Sequence, residues 1–207
     1  MTCYRNRTTK AKWVTEQFKS IFGEIKSILD VGCDGRCLKN CLPEGIKYIG
    51  LDNFHEADIH FDLDKGKKLP LDNNSFDLVY CSDVLEHLEN IHSVFDELCR
   101  ISRKYIIVSL PNPFSGIFPV LLGRTKLEGL PPEKVEDRHR WFFTNEEAVS
   151  FLKHRAEKNG CKVAQITYTI DYQKGVKKLF KIIISGFNRK RMLNWFNGTT
   201  WFLIEKQ

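Results

Sequence analysis

The residues with the clearest chemical potential begin at Gly32. Ser27-Ile28-Leu29-Asp30-Val31 reads as a short buried strand that runs into the turn Gly32-Cys33-Asp34-Gly35. Gly32 and Gly35 let the backbone approach a ligand where a β-carbon would obstruct it. Asp52, which ends a second strand at Tyr48–Leu51, follows Gly32 by about 20 residues. That is the spacing at which a carboxylate takes hydrogen bonds from ribose hydroxyls. Asp62 closes a weaker third strand, Ile59–Phe61. The first strand, its glycine turn and Asp52 are the parts that make a nucleotide pocket.

A second group centres on His139, within Asp137-Arg138-His139-Arg140. Its imidazole suits general-base work on a hydroxyl acceptor, and a loop hydrogen bond is the plain alternative. Glu86 and His87, beyond a fourth strand, stand behind it as candidates; His55, His60, His92 and His154 read as surface or incidental positions. Cys33, Cys37 and Cys41 recur every four residues, close to a three-cysteine cluster motif but with the last interval one too long. Without a companion ligand group they read as small apolar residues, and no metal is expected.

Strands and helices alternate in the order such a pocket requires. A helix is expected over Thr9–Phe22, another from the glycine turn to about Cys41, and strands at Phe76–Cys81 and Tyr105–Ser109. Ile91, Val94, Phe95, Leu98 and Ile101 mark an amphipathic helix between those strands. Thr144 and Glu147 form a capping box for a helix whose inner face is Ala148, Phe151, Leu152 and Ala156. Cys161–Tyr172 and Thr199–Glu205 complete the strands. The rhythm predicts an α/β fold with a doubly wound, mostly parallel sheet, helices on both faces and a late antiparallel strand.

Two kinds of nucleotide ligand fit a glycine turn followed by an acid. A dinucleotide site wants glycine at positions 32, 34 and 37, of which only Gly32 is present, and Asp34 would face the pyrophosphate. S-adenosylmethionine (SAM) has no phosphates and carries a sulfonium cation, so it suits acidic surroundings. The blocks Ile28–Gly35, Gly50–Asp52, Phe61–Leu63 and Leu69–Val79, continuing through Ser82-Asp83-Val84-Leu85-Glu86-His87-Leu88, resemble those of class I SAM-dependent methyltransferases. His139–Thr144 resembles the tail of the same family. The resemblance implies a seven-stranded Rossmann-like sheet, one domain over residues 1–207, and methyl transfer to a small-molecule, sugar or lipid-linked acceptor. Within it, residues 1–27 form a helical cap, 28–112 the cofactor half and 113–207 the acceptor side.

It also implies residue roles. Gly32 to Gly35, with Asp30, Cys33 and Asp34, would hold the methionine part of SAM. Asp52 and Asn53 would take the ribose, Asp62 and the Leu63 backbone the adenine, and the Cys81 and Ser82 carbonyls the amino group. Leu85 and His87 would wall the pocket. The family pattern has glycine at positions 34 and 36, where this chain has Asp34 and Arg36, so either Gly35 takes over through a shifted or shortened turn or Asp34 pairs with the cofactor's cationic groups. A non-catalytic cofactor binder or protein-interaction module with a degenerate turn is the competing class.

The chain has 207 residues, a net charge of +6 and seven cysteines. The odd cysteine count points to a reducing cytoplasm rather than a disulfide framework. No apolar run reaches the length of a membrane span. The charge is uneven: residues 1–27 carry +4, residues 171–207 carry +6, and the middle is acidic. The basic, aromatic stretch 174–196 reads either as a packed helix or as a peripheral contact with an anionic membrane. The apolar run Phe114–Gly123 either grips an apolar acceptor or packs on the sheet. Cys81-Ser82-Asp83 is not a base-amino methylation motif, so nucleic acid is unsupported as a partner; oligomeric state is open.

Overall fold

The computed structural model describes residue 4 and residues 6–53, 56–65, 68–123, 138–170, 183, 185–186 and 188–207. Seven strands form one sheet in the order β3-β2-β1-β4-β5-β7-β6. They are β1 (Ser27–Val31), β2 (Lys47–Asp52), β3 (Ile59–His60), β4 (Phe76–Ser82), β5 (Ser102–Pro111), β6 (Cys161–Ile170) and β7 (Asn197–Lys206). β1 to β5 pair in parallel, and β7 lies antiparallel between β5 and β6. This is the expected fold.

The central strands are apolar on both sides because helices cover both faces. Leu29, Val31, Val79, Cys81, Ile106 and Val108 face α3 (Ile91–Ile101) and α5 (Asn145–Lys158). The alternate residues Ile28, Leu78, Tyr80 and Ile107 face α1 (Arg7–Gln17) and α2 (Lys19–Glu24). The expected capping box of Thr144 with Glu147 starts α5, and a second, Asn6 with Thr9, starts α1. The single helix expected over Thr9–Phe22 is two helices, broken at Phe18 (φ −111°, ψ 30°).

The helix expected behind the glycine turn is absent. Only a 3-10 turn, Lys39–Cys41, forms there. Asp34 (φ 34°) and Arg36 (φ 55°) are left-handed, which no α-helix accommodates, and Arg36 N–H bonds Cys33 O at 2.8 Å in a tight turn. The three cysteines therefore do not share a helical face; Cys33 is buried and all three are free thiols.

On the acceptor side, Ile117–Leu121 is helix α4 and Arg189–Phe196 is α6. α6 docks on α5 through Lys190–Glu146 (2.7 Å) and through Asn194 Oδ1, which accepts Glu146 N–H at 3.0 Å. Residues 124–137 after the apolar run, and residues 174–182, 184 and 187 of the basic stretch, lie outside the described residues. No helix among the described residues is long and apolar enough to cross a membrane.

Candidate functional site

Strand order reverses between β1 and β4, and an open α/β sheet receives ligands at the carboxyl ends of strands at such a point. A cavity of about 540 Å³ occupies that place. Of the expected cofactor residues, Asp30, Gly32, Cys33, Asp34, Gly35, Ser82 and His87 line it.

The turn itself departs from expectation. Gly32 (φ 73°) is left-handed, and a β-carbon there would stand 2.2 Å from Val84 Cγ2. The two other left-handed residues are Asp34 and Arg36, at the positions where the family pattern has glycine. Gly35 is not left-handed and does not take over their geometry. The turn keeps a glycine-like backbone with non-glycine side chains, each at a cost of about 1–2 kcal/mol. Local bonds hold it in place. Asp52 accepts the Asp34 N–H at 2.9 Å, and Arg36 donates to Glu56 O at 3.3 Å and pairs with Asp58. Asp58 also accepts Gly50 N–H at 2.8 Å. Burial would raise its carboxyl, but Gly50 and Arg36 hold it below the ordinary value.

Asp30 is buried at the floor of the cavity and accepts the Tyr48 hydroxyl at 2.7 Å. Burial pushes its carboxyl up to about 7, and the Tyr48 bond offsets only part of that. On the opposite wall, Asp83 is left-handed (φ 54°), accepts Ser109 Oγ at 2.6 Å and pairs with Lys10 at 2.8 Å. Arg7 pairs with Asp34. Helix α1 thus ties both rims of the cavity together, a role for Arg7, Lys10 and Asp83 that sequence reasoning missed. Asp83 sits inside a quoted motif, whereas nothing in the local pattern of α1 marks Lys10.

The other predicted residues lie off this wall. Asn53 is exposed. Asp62 accepts Asp64 N–H at 3.0 Å and pairs with Lys65, whose hydrogen bond holds its carboxyl low. Leu63, Cys81 and Leu85 are buried in the core on the α3 face.

His139 meets His87 edge to face, with ring centroids 4.8 Å apart. Backbone bonds fix the approach: Arg140 N–H and Trp141 N–H both donate to Glu86 O, at 2.8 and 3.1 Å. Trp141 Nε1 donates to Leu88 O at 2.7 Å. Burial, reinforced by His87, pushes the His139 imidazole down to about 4, so it is neutral at pH 7 and offers a lone pair. The Glu86 carboxyl is fully buried and pushed well above its ordinary value by that burial. A second depression of about 590 Å³, lined by Glu89, Arg138, His139, Arg140 and Trp141, opens beside the pair.

A family model described as a methyltransferase domain matches residues 4–166, which covers the strand-order switch, the turn, Glu86, His87 and His139. The chain belongs to the methyltransferase-domain family. A ubiquinone biosynthesis O-methyltransferase of Vibrio cholerae is 26% identical to this methyltransferase domain over 166 residues, 71% of this chain and 66% of the relative. The chain thus spans just under two thirds of that relative's length. A SAM-dependent methyltransferase from Archaeoglobus fulgidus superposes with TM-score 0.62 at 18% identity, covering 98% of this chain and 96% of that one. The magnesium protoporphyrin IX methyltransferase of Synechocystis, solved with bound S-adenosylhomocysteine (SAH), superposes with TM-score 0.55 at 14% identity over 100% of this chain and 90% of that one. These two share the fold.

Proposed function

We propose that the protein is a SAM-dependent methyltransferase acting on a hydroxyl oxygen of a small, partly apolar acceptor. The observation that carries the reading is the acidic cavity at the strand-order switch, inside the segment matched by the family model. Its donor set fits SAM and not a dinucleotide. Asp30, Asp34 and Asp83 line it, the last two paired with Arg7 and Lys10, and no helix begins behind the glycine turn to receive a phosphate.

When bound, SAM supplies an electrophilic methyl group on a sulfonium, which passes to the acceptor oxygen while the S–C electron pair stays on sulfur. The chain's own residues bind and align. The Gly32–Gly35 turn, with Asp30, Cys33 and Asp34, holds the methionine part, and the Cys81 and Ser82 carbonyls receive its ammonium. Asp52 and Asn53 take the ribose hydroxyls, Asp62 and the Leu63 backbone the adenine edge. His87 closes the wall toward the acceptor, with Leu85 in the core on the α3 face. His139 presents an unprotonated nitrogen on the acceptor side, where it holds or activates the hydroxyl. Alignment and exclusion of water supply most of the rate in such an in-line displacement.

The oxygen acceptor and the small-molecule class follow the Vibrio relative's name. Exposed Leu121 and Leu122 at the end of α4 support an amphiphilic acceptor, met at an anionic membrane surface by this region and 174–196 of a cytoplasmic protein. Thermal-shift titration with SAH tests the core of the reading. Stabilisation that disappears in Asp52→Ala supports it; no response to SAM or SAH means a non-catalytic module. Labelled methyl should then enter the lipid or small-molecule fraction of a cell extract. Labelling of protein or nucleic acid overturns the acceptor class, and methylation of a soluble metabolite by a protein that ignores anionic liposomes overturns the membrane contact.

A further inference from the structure

We propose that Glu86, His87 and His139 form a binding site for one divalent transition-metal ion at the acceptor side of the cavity. One ligand atom from each of the three lies within 4.8 Å of the others. Glu86 Oε1 and His87 Nε2 are 3.8 Å apart, too far for a hydrogen bond. Donors sharing an ion at about 2.0–2.2 Å stand roughly 3–3.5 Å from one another, so small side-chain rotations close the set.

Three independent features favour a cation over a structural cluster. Glu86 is 1% exposed, and neither carboxylate oxygen has a hydrogen-bond partner among the described residues. Burying a carboxyl unpaired is costly, and native structures leave few such groups without a reason. The nearby protein cations are engaged elsewhere: Lys10 with Asp83, and Arg140 with Glu89 and Asp64. Secondly, His139 Nδ1 is likewise buried without a partner among the described residues. Thirdly, His87 Nδ1 lies 3.3 Å from Arg138 O. An Nδ1–H donated to that carbonyl leaves Nε2 bare and facing Glu86, the arrangement that orients metal-binding histidines.

Two imidazoles and one carboxylate suit a borderline ion such as zinc, iron(II), manganese or cobalt rather than magnesium or calcium. Three protein ligands leave coordination positions open. His87 lies on the wall of the switch-point cavity and His139 on the second depression, so the ion would be held by one residue from each. The use of the ion rests on the methyltransferase reading. A hydroxyl bound there gives up its proton to water more readily, and its oxygen attacks as the alkoxide or phenolate. The His139 lone pair then serves the ion, and the ion acidifies the hydroxyl.

The test uses the full chain after EDTA treatment and dialysis, titrated with cobalt(II) and read by its visible absorption bands and by thermal shift. One equivalent should bind, zinc should displace it, and Glu86→Gln, His87→Gln and His139→Gln should each weaken binding at least tenfold. His154→Gln, on the exposed side of α5, should leave binding unchanged. No saturable site, or wild-type affinity retained in all three ligand variants, overturns the proposal. His87 is partly exposed, so His87→Gln remains informative if Glu86→Gln fails to fold. SAH titration of the metal-free protein separates the two readings: a response to SAH without one to cobalt sinks only the metal site, and the reverse sinks only the cofactor site.

Discussion

Replacing Gly32 by alanine should destabilise the protein by two separable effects. The residue is left-handed at φ 73°, which costs an L-residue about 1–2 kcal/mol. Its new methyl would meet Val84 Cγ2 at 2.2 Å, well inside van der Waals contact. Relief of that overlap costs about 1–3 kcal/mol as overpacking. The stiffer unfolded chain returns about 0.4–1 kcal/mol. The expected loss is therefore roughly 2–4 kcal/mol. Val84→Ala removes the contacting methyl but leaves the backbone conformation, so the double variant should recover the steric part alone. Urea unfolding of the wild type, both single variants and the double variant measures this as a cycle, with midpoints shifting at constant slope. A coupling of about 1–3 kcal/mol in favour of the double variant is expected. Additive losses, or a cost below about 1 kcal/mol for Gly32→Ala, would show that Gly32 and Val84 do not meet as described.

Three further outcomes follow from the same geometry. Asp30 has its carboxyl raised to about 7 from 3.8, so the native state holds that proton more tightly than the unfolded chain. Its contribution to stability is full below about pH 4 and is lost as pH rises through about 7, at up to about 1.4 kcal/mol per unit. The stability of Asp30→Asn relative to wild type should therefore climb across pH 5–7; a flat difference refutes the burial argument. Lys206 Nζ donates to Cys99 O (3.0 Å) and Ser102 O (2.9 Å) at the end of α3. Lys206→Met should cost about 1–3 kcal/mol, and a change below 0.5 kcal/mol by thermal unfolding, against roughly 1 kcal/mol for an average bond, argues against it. Thr144→Ala should cost about 1 kcal/mol through loss of the α5 cap, measured the same way.

The sheet was legible in the sequence because its strands are buried on both faces, which leaves continuous runs such as Tyr105–Ser109 between amphipathic helices. Thr144 and Glu147 announced α5 through chemistry confined to four residues. The stretch after Gly32 misled because its apolar residues are compatible with a helix. What decides against one is the left-handed conformation of Asp34 and Arg36, held by Asp52 and Asp58 from elsewhere in the chain. The acceptor side was legible only by halves. His139 stood out as a lone imidazole, but its proximity to Glu86 depends on backbone bonds across about fifty residues of sequence. Lys10 was invisible because its partner, Asp83, is 73 positions away.

The interior position of β7 has a kinetic consequence. β5 and β6 both pair with β7 and not with each other, so the sheet cannot close until residues 197–206 arrive. Before that, β5 offers an open hydrogen-bonding edge beside a parallel core that can already be assembled, the kind of surface that recruits other unfinished chains. Closing it pairs residues 88 to 100 positions apart, from Pro111 with Thr199 to Tyr105 with Glu205, and such non-local pairing is slow. Trp201 reports the event. It becomes fully buried against Trp13 and Tyr80, and its indole N–H finds Tyr4 Oη at 3.1 Å. A late change in tryptophan emission during refolding would mark the moment at which the sheet loses its sticky edge.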